Sequence, residues 1–222
     1  NPRFVDEYLK KIAAITPDDV KRVVRTYLLG KPEAVVVLVP EKKANPTMKT
    51  LKSGLRLTVN KNKDAPSFAF RVGFVGGLAD EPEGKNGIFN LLSRMLLKGT
   101  KEKSAEQIAR EIDLLAGDIS PFNGKSIFGL SGKFLSKDMK KTLALLAELL
   151  TGSVMKEDEL KKVKEDVLSA IRVRDDDPVP FTFRRFNEAI FAGHPYSRDP
   201  VGSEKDVESL TAAEIRACYR DY

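Results

Sequence analysis

Apolar positions along the chain alternate between a helical and a β period. Phe4, Val5, Tyr8, Leu9 and Ile12 recur at helical spacing over residues 3–14. Thr16 stands as an N-cap, with Pro17 in the first turn and Asp18 and Asp19 where carboxylates complement the helix dipole. A second helix is therefore predicted to about Leu28, ending at Gly30. Residues 34–39 form an unbroken, valine-rich run that predicts a buried strand. Residues 41–46 are polar, end in proline and read as a linker.

Beyond the linker, residues 51–59 predict a hairpin turning at Ser53-Gly54. Phe68, Phe70, Val72 and Phe74 alternate with small or polar neighbours, the mark of a half-buried strand. A glycine-rich loop from Gly76-Gly77 to Gly84 leads into a helix over 87–98, whose Ile88, Leu91, Leu92, Met95 and Leu96 share one face. Another helix is expected over 104–116, capped by Ser104 and stopped by Gly117. Strands near 118–122 and 126–135 turn at Asn123-Gly124. Helical patterns then cover about 137–150, 157–174 and 180–191. Strands and helices come in separate runs, so the fold class is α+β, an antiparallel sheet packed under helices.

One pattern repeats. Ile15-Thr16 with Asp19, Arg25 and Tyr27 recurs as Leu210-Thr211 with Glu214, Arg220 and Tyr222. Each copy sets a Thr N-cap three residues before an acid, the capping-box spacing. The match at Arg and Tyr extends it beyond a local cap to a duplicated subdomain. Residues 1–43 then close one unit and residues 44–222 open another. The chain starts at Asn1-Pro2 and stops inside an amphipathic pattern, so we expect a piece of a longer protein, with any targeting segment upstream.

Composition narrows the functions. The chain of 222 residues is 41% apolar and 32% charged, which reads as globular rather than disordered. No apolar run approaches the roughly 20 residues of a bilayer crossing. Its net charge of +6 would attract acidic partners, and such binding would depend steeply on salt. Yet its lysines are interleaved with acids, as in Lys156-Glu157-Asp158-Glu159, and no basic stripe carries stacking aromatics, so nucleic acid is not expected. The single Cys218 excludes an internal disulfide and reads as a small buried hydrophobe. The single His194 lies in a turn and reads as a capping residue rather than a metal ligand. The glycine loop lacks the Gly-Lys-Ser/Thr ending of a phosphate cradle. Asp175-Asp176-Asp177 lacks calcium-loop spacing and reads as helix-end charges.

The most specific stretch runs from Gly76-Gly77-Leu-Ala-Asp-Glu81 through Asn86-Gly87-Ile88 to Met95-Leu-Leu-Lys-Gly-Thr100. It resembles the pitrilysin/insulinase family of zinc peptidases, the inverzincins. In that family a Gly-Ser-x-x-Glu loop precedes a helix of the form Gly-[Leu/Ile]-Ala-His-x-x-Glu-His-Met-Leu-x-x-Gly-Thr. Ser104 to Gln107, Val167-Leu168, Asp175 to Pro178, Gly193-His-Pro-Tyr196 and Val201-Gly202 continue the likeness over residues 48–222, and residues 1–40 resemble a closing helix and strand.

In that family, H-x-x-E-H brings two histidines at i and i+4 onto zinc, and the glutamate acts on the zinc-bound water. At those positions this chain has Asn90, Ser93 and Arg94, and Ala170 stands where the third ligand, a glutamate, is expected. Asn and Ser are poor zinc ligands, and Arg94 brings a fixed positive charge. The resemblance thus implies a non-catalytic segment that holds no cofactor, with zinc in a catalytic half or partner. It also implies association with the remaining domains of the same chain or a homologous catalytic subunit, and a chamber wall that binds unfolded peptides through Asn90 and Arg94. Metal-free assembly subunits of larger complexes are the competing class.

Overall fold

The structure, a computed structural model, describes residues 14, 16–27, 46–61 and 65–222. Apart from Ala14 and Pro46, the helix read over 3–14, the strand over 34–39 and the linker over 41–46 lie outside the described residues. Two compact units, residues 1–61 and 62–222, divide the chain.

In the first unit, helix α1 (Pro17–Tyr27) starts as its sequence predicts. The Asp19 N–H donates to Thr16 Oγ1, and the Thr16 N–H donates to Asp19 Oδ2, each at 3.2 Å. Strands β1 (Thr47–Thr50) and β2 (Arg56–Val59) pair antiparallel, Thr47 opposite Val59 and Thr50 opposite Arg56. Gly54 makes the turn at φ +85°, a conformation that L side chains resist.

In the second unit, strands β3 (Ser67–Val75), β4 (Asp118–Asn123) and β5 (Ile127–Leu135) form an antiparallel sheet with β5 in the centre. The alternation seen in the sequence turns Phe68, Phe70, Val72 and Phe74 towards the core, and Phe70 stacks on Phe134 at a centroid distance of 6.3 Å. Helix α2 (Ile88–Met95) packs against β4, β5 and the helices below, and seven of its eight residues are buried. Helix α3 (Ala105–Leu114) is closed by a capping box in which the Gln107 N–H donates to Ser104 Oγ and the Ser104 N–H donates to Gln107 Oε1. Helix α4 (Met139–Gly152) buries Leu145 and Leu149, and α5 (Glu157–Asp176) buries Leu160, Val163, Val167 and Ile171 on one stripe. Helix α6 (Pro178–Ile190) is capped by Asp177, α7 (Glu204–Ser209) by Ser203, and α8 (Ala212–Asp221) by a Thr211–Glu214 box. The α+β class, with antiparallel strands packed among helices, is therefore observed.

Four details differ from the sequence pattern, the first being that the hairpin read over 51–59 has its first strand earlier, at Thr47–Thr50. Helix α2 stops at Met95 rather than Lys98, because Leu97 and Lys98 turn to i–3 bonds with the Arg94 and Met95 carbonyls ahead of Gly99 at φ +125°. Helix α6 begins at Pro178, two residues early, since Asp177 caps it and proline is tolerated in a first turn. Helix α7 has no counterpart in the pattern, because six residues with only Val207 buried show no period.

A Cβ at Gly129 on β5 would overlap the carbonyl oxygen of Val72 on β3. Gly129→Ala is therefore expected to cost about 3 kcal/mol of stability. Urea unfolding checks this, and an unchanged midpoint would refute it.

Candidate functional site

The loop before α2 is pinned to the β4–β5 turn. Gly76 donates to the Ser126 carbonyl at 3.0 Å, Leu78 to Gly124 at 3.1 Å and Ala79 to Lys125 at 2.9 Å. This sets Glu81, only 4% exposed, under the start of α2. Asn86 Nδ2 donates to Glu81 Oε2 at 2.7 Å and the Gly87 N–H to Oε1 at 3.0 Å. Burial raises the Glu81 pKa, opposed by these hydrogen bonds and by the charge of Arg198.

Asn86 also donates to the Asp199 carbonyl at 3.0 Å, and its N–H to Asp206 Oδ2 at 3.1 Å. Arg198 returns a bond to the Glu81 carbonyl at 2.8 Å. Gly87, at φ +101°, admits Gly202 so closely that a Cβ on Gly87 would lie 3.0 Å from the Gly202 Cα. An open cavity of about 420 Å³ adjoins this junction, and Arg174 and Arg184 on its wall pair with Asp199, Asp175 and Glu188.

One turn further along α2, Asn90 is buried and its Nδ2 donates to the Val201 carbonyl at 2.8 Å. Its Oδ1 accepts from Arg94 Nε at 3.0 Å, and its carbonyl accepts from Ser93 Oγ at 2.9 Å. Asn90, Ser93 and Arg94 thus form one hydrogen-bonded group. Ala170 lies exposed on α5, a helix that packs against α2, and offers no polar atom. These residues do not fit a zinc ion: the Asn90 oxygen already accepts from a guanidinium, Ser93 is turned onto the backbone, and Arg94 is cationic. Among the described residues, neither terminal nitrogen of Arg94 has a partner.

The sequence reading left Glu81, Asn86 and Asn123 out of the site. Asn123 Nδ2 donates to the Pro200 carbonyl at 2.8 Å, so two asparagines hold consecutive carbonyls of one turn. Glu81 and Asn86 lie inside the motif, where Asn86 and Gly87 hold the Glu81 carboxylate, but the other partners of Asn86, Asp199 and Asp206, are more than a hundred residues away. The remaining candidates behave as read. His194 Nδ1 accepts the Tyr196 N–H at 3.2 Å, and Cys218 is buried, its thiol pushed up to about 11 mainly by burial. Asp177 caps α6 and Asp175 pairs with Arg174 and Arg184. Among the described residues, no group of three or more His, Cys, Asp or Glu side chains is arranged to hold a metal ion. No described helix is long and apolar enough to cross a membrane.

The sequence profile of the Insulinase (Peptidase family M16) family matches residues 56–203. The chain belongs to that family. It is an M16 segment whose metal-binding motif is lost. It is 28% identical over 209 residues to the uncharacterized zinc protease SCO5738 of Streptomyces coelicolor, a match covering 94% of this chain and 44% of that protein. Among solved structures, a protease from Helicobacter pylori aligns with a TM-score of 0.74 at 25% identity, over 79% of this chain and 43% of that one. A peptidase M16 inactive domain from Pseudomonas fluorescens aligns at 0.73 and 21% identity, again over 79% of this chain and 43% of that one, a likeness of fold. The chain thus spans under half the length of these proteins.

The Glu81 network has a pH signature. A carboxyl whose pKa is raised on folding above its ordinary value of 4.5 stabilises the fold fully below that value, and loses the contribution as pH rises through the folded pKa. The stability of the wild type relative to Glu81→Gln is therefore expected to fall as pH climbs from 4 to 7. Urea titrations of both proteins at several pH values would measure it; a constant difference would count against it.

Proposed function

We propose that this chain is a non-catalytic domain of a zinc metallopeptidase-family protein that helps to enclose a chamber for extended peptides. Hydrolysis then belongs to a homologous catalytic half or subunit that carries the zinc. The observation that carries this reading is the closed hydrogen-bonded group of Asn90, Ser93 and Arg94 on a helix otherwise built to the family's pattern. Residues 1–43 are the end of a preceding peptidase-like unit and residues 44–222 the first subdomain of a metal-free one. In support, the caps of both repeat copies, Thr16–Asp19 and Thr211–Glu214, are formed.

Arg94 has the chemistry to meet a peptide. Its Nε is held by Asn90, which fixes the guanidinium plane, and its two terminal nitrogens are directed donors for a carbonyl or carboxylate. A second reading, a metal-free assembly subunit with no proteolytic role, draws on the apolar residues that α6 leaves exposed.

Two measurements test the proposal. The purified chain is expected to carry substoichiometric zinc and to show no chelator-sensitive peptidase activity before or after added zinc. Stoichiometric zinc with such cleavage would remove Asn90, Ser93, Arg94 and Ala170 from the metal-site positions. Arg94→Ala is expected to weaken binding of a fluorescein-labelled unfolded peptide about tenfold, the cost of losing a charge-assisted hydrogen bond. Unaltered affinity would dismiss the peptide-binding role and leave the assembly reading.

A further inference from the structure

Four described arginines are partly buried: Arg94, Arg174, Arg184 and Arg198. A guanidinium partly withdrawn from water needs both hydrogen-bond acceptors and a counter-charge. Three of the four find both. Arg174 pairs with Asp175 and Asp199 at 2.9 Å, and Arg184 reaches Asp175 and Glu188 at 3.5 Å. Arg198 donates to the Glu81 carbonyl at 2.8 Å, and its charge acts on the Glu81 carboxylate. Arg94 is the exception. Among the described residues it meets only Asn90 Oδ1, a neutral acceptor, and forms no ion pair. Lys98, four residues on and also partly buried, forms none either. The C-terminal end of α2 sets only about half a negative charge against these two cations. The end of α2 is therefore positive, and the whole chain, at +6, draws anions from farther away.

We infer that Arg94 takes a peptide by a carboxylate, not by a backbone carbonyl. The inference rests on the peptide-binding role proposed for Arg94 and narrows it to one chemistry. Asn90 prepares the fork. Its Nδ2 is committed to the Val201 carbonyl, so its Oδ1 is turned to Arg94 Nε, and a guanidinium that swung away would leave that buried oxygen unpaired. Two terminal nitrogens held in one plane match the two oxygens of a carboxylate side by side, whereas a carbonyl offers one oxygen and no charge. Arg198 can make do with a carbonyl because Glu81 supplies the charge beside it. Arg94 has no such neighbour among the described residues, so its ligand must bring the charge. That carboxylate is either the C-terminus of the peptide or an Asp or Glu side chain within it.

Calorimetric titration of the 222-residue chain with one Gly/Ser/Ala peptide in three forms tests it. The first form is amidated and free of acids, the second has a free C-terminal carboxylate, and the third is amidated with a single internal Glu. A carboxylate-bearing form is expected to bind about tenfold more tightly than the neutral one, and which form does so identifies the source. In Arg94→Gln the advantage should vanish; in Arg94→Lys, which keeps the charge without the fork, it should shrink. The comparison of peptides on the wild type needs no variant, so it decides the matter even where a substitution disturbs the fold. Equal binding of all three forms overturns the carboxylate inference and leaves the peptide-binding role standing. Binding of none overturns both, and an advantage that a folded Arg94→Gln chain preserves takes the carboxylate away from Arg94.

Discussion

Withdrawing a carboxylate from water costs on the order of several kcal/mol unless donors replace the solvent. The position of α2 rests on one such replacement. Glu81 is buried, and it is tolerated because the Asn86 side chain and the Gly87 N–H, at the N-terminus of α2, donate to its two oxygens. The helix's orphan donors and the carboxylate satisfy one another. Because Asn86 also donates to Asp199 and Asp206, the same junction fastens the segment over 199–206 to the helix start. Side chains at Gly87 or Gly202 would wedge the two apart.

Once α2 is placed there, little of its surface stays wet, so each polar residue on it must find a partner. Asn90 does so in two directions, donating to Val201 and accepting from Arg94. Each such bond contributes about 1 kcal/mol, and leaving a partner unmade would cost more. In a zinc peptidase of this family the same face presents ligands to a metal ion. Here a side-chain amide bridges the helix to the 199–202 turn, beside the close packing of Gly87 on Gly202. Loss of the ligands is thus compatible with a fold in which Leu91, Leu92 and Met95 remain fully packed.

Strong periods made most of residues 65–222 legible in the sequence. The stripe of Leu160, Val163, Val167 and Ile171 admits one helical face, and the alternating phenylalanines of β3 admit one buried side. Caps at Ser104 and Thr211 fixed starts because their bonds are local. Helix α7 was not legible, since a single buried valine carries no period. Of the site, the i to i+4 contact of Asn90 with Arg94 follows from helical geometry alone. The distant partners of Asn86, Asn90 and Asn123 do not: their side-chain amides donate to the Asp199, Val201 and Pro200 carbonyls, and no residue type marks which carbonyl will be presented. Ala170, expected from the family resemblance at a ligand position, adds nothing to the polar group because a methyl has nothing to contribute.

Helix α6 raises the opposite question, why a segment so firmly specified buries nothing. Its start is fixed by the Asp177 cap and two prolines, and its inner flank by Arg184, which pairs with Asp175 and Glu188 at 3.5 Å and lies over the Phe181 ring. Contacts of this partly exposed, ionic kind hold a helix in place but contribute modestly, about 1 kcal/mol for each pair. Phenylalanines in water contribute nothing further, and a solvent-facing helix could carry polar residues at 183 and 186 without any loss of packing. Burial of Val179, Phe183, Phe186 and Ile190 would add about 25 cal/mol for each Å² of apolar surface removed from water. The terminal nitrogens of Arg94, which have no partner among the described residues, and the exposed apolar stripe of α6 therefore make opposite demands on their surroundings. One domain can meet both only if it uses them for different contacts.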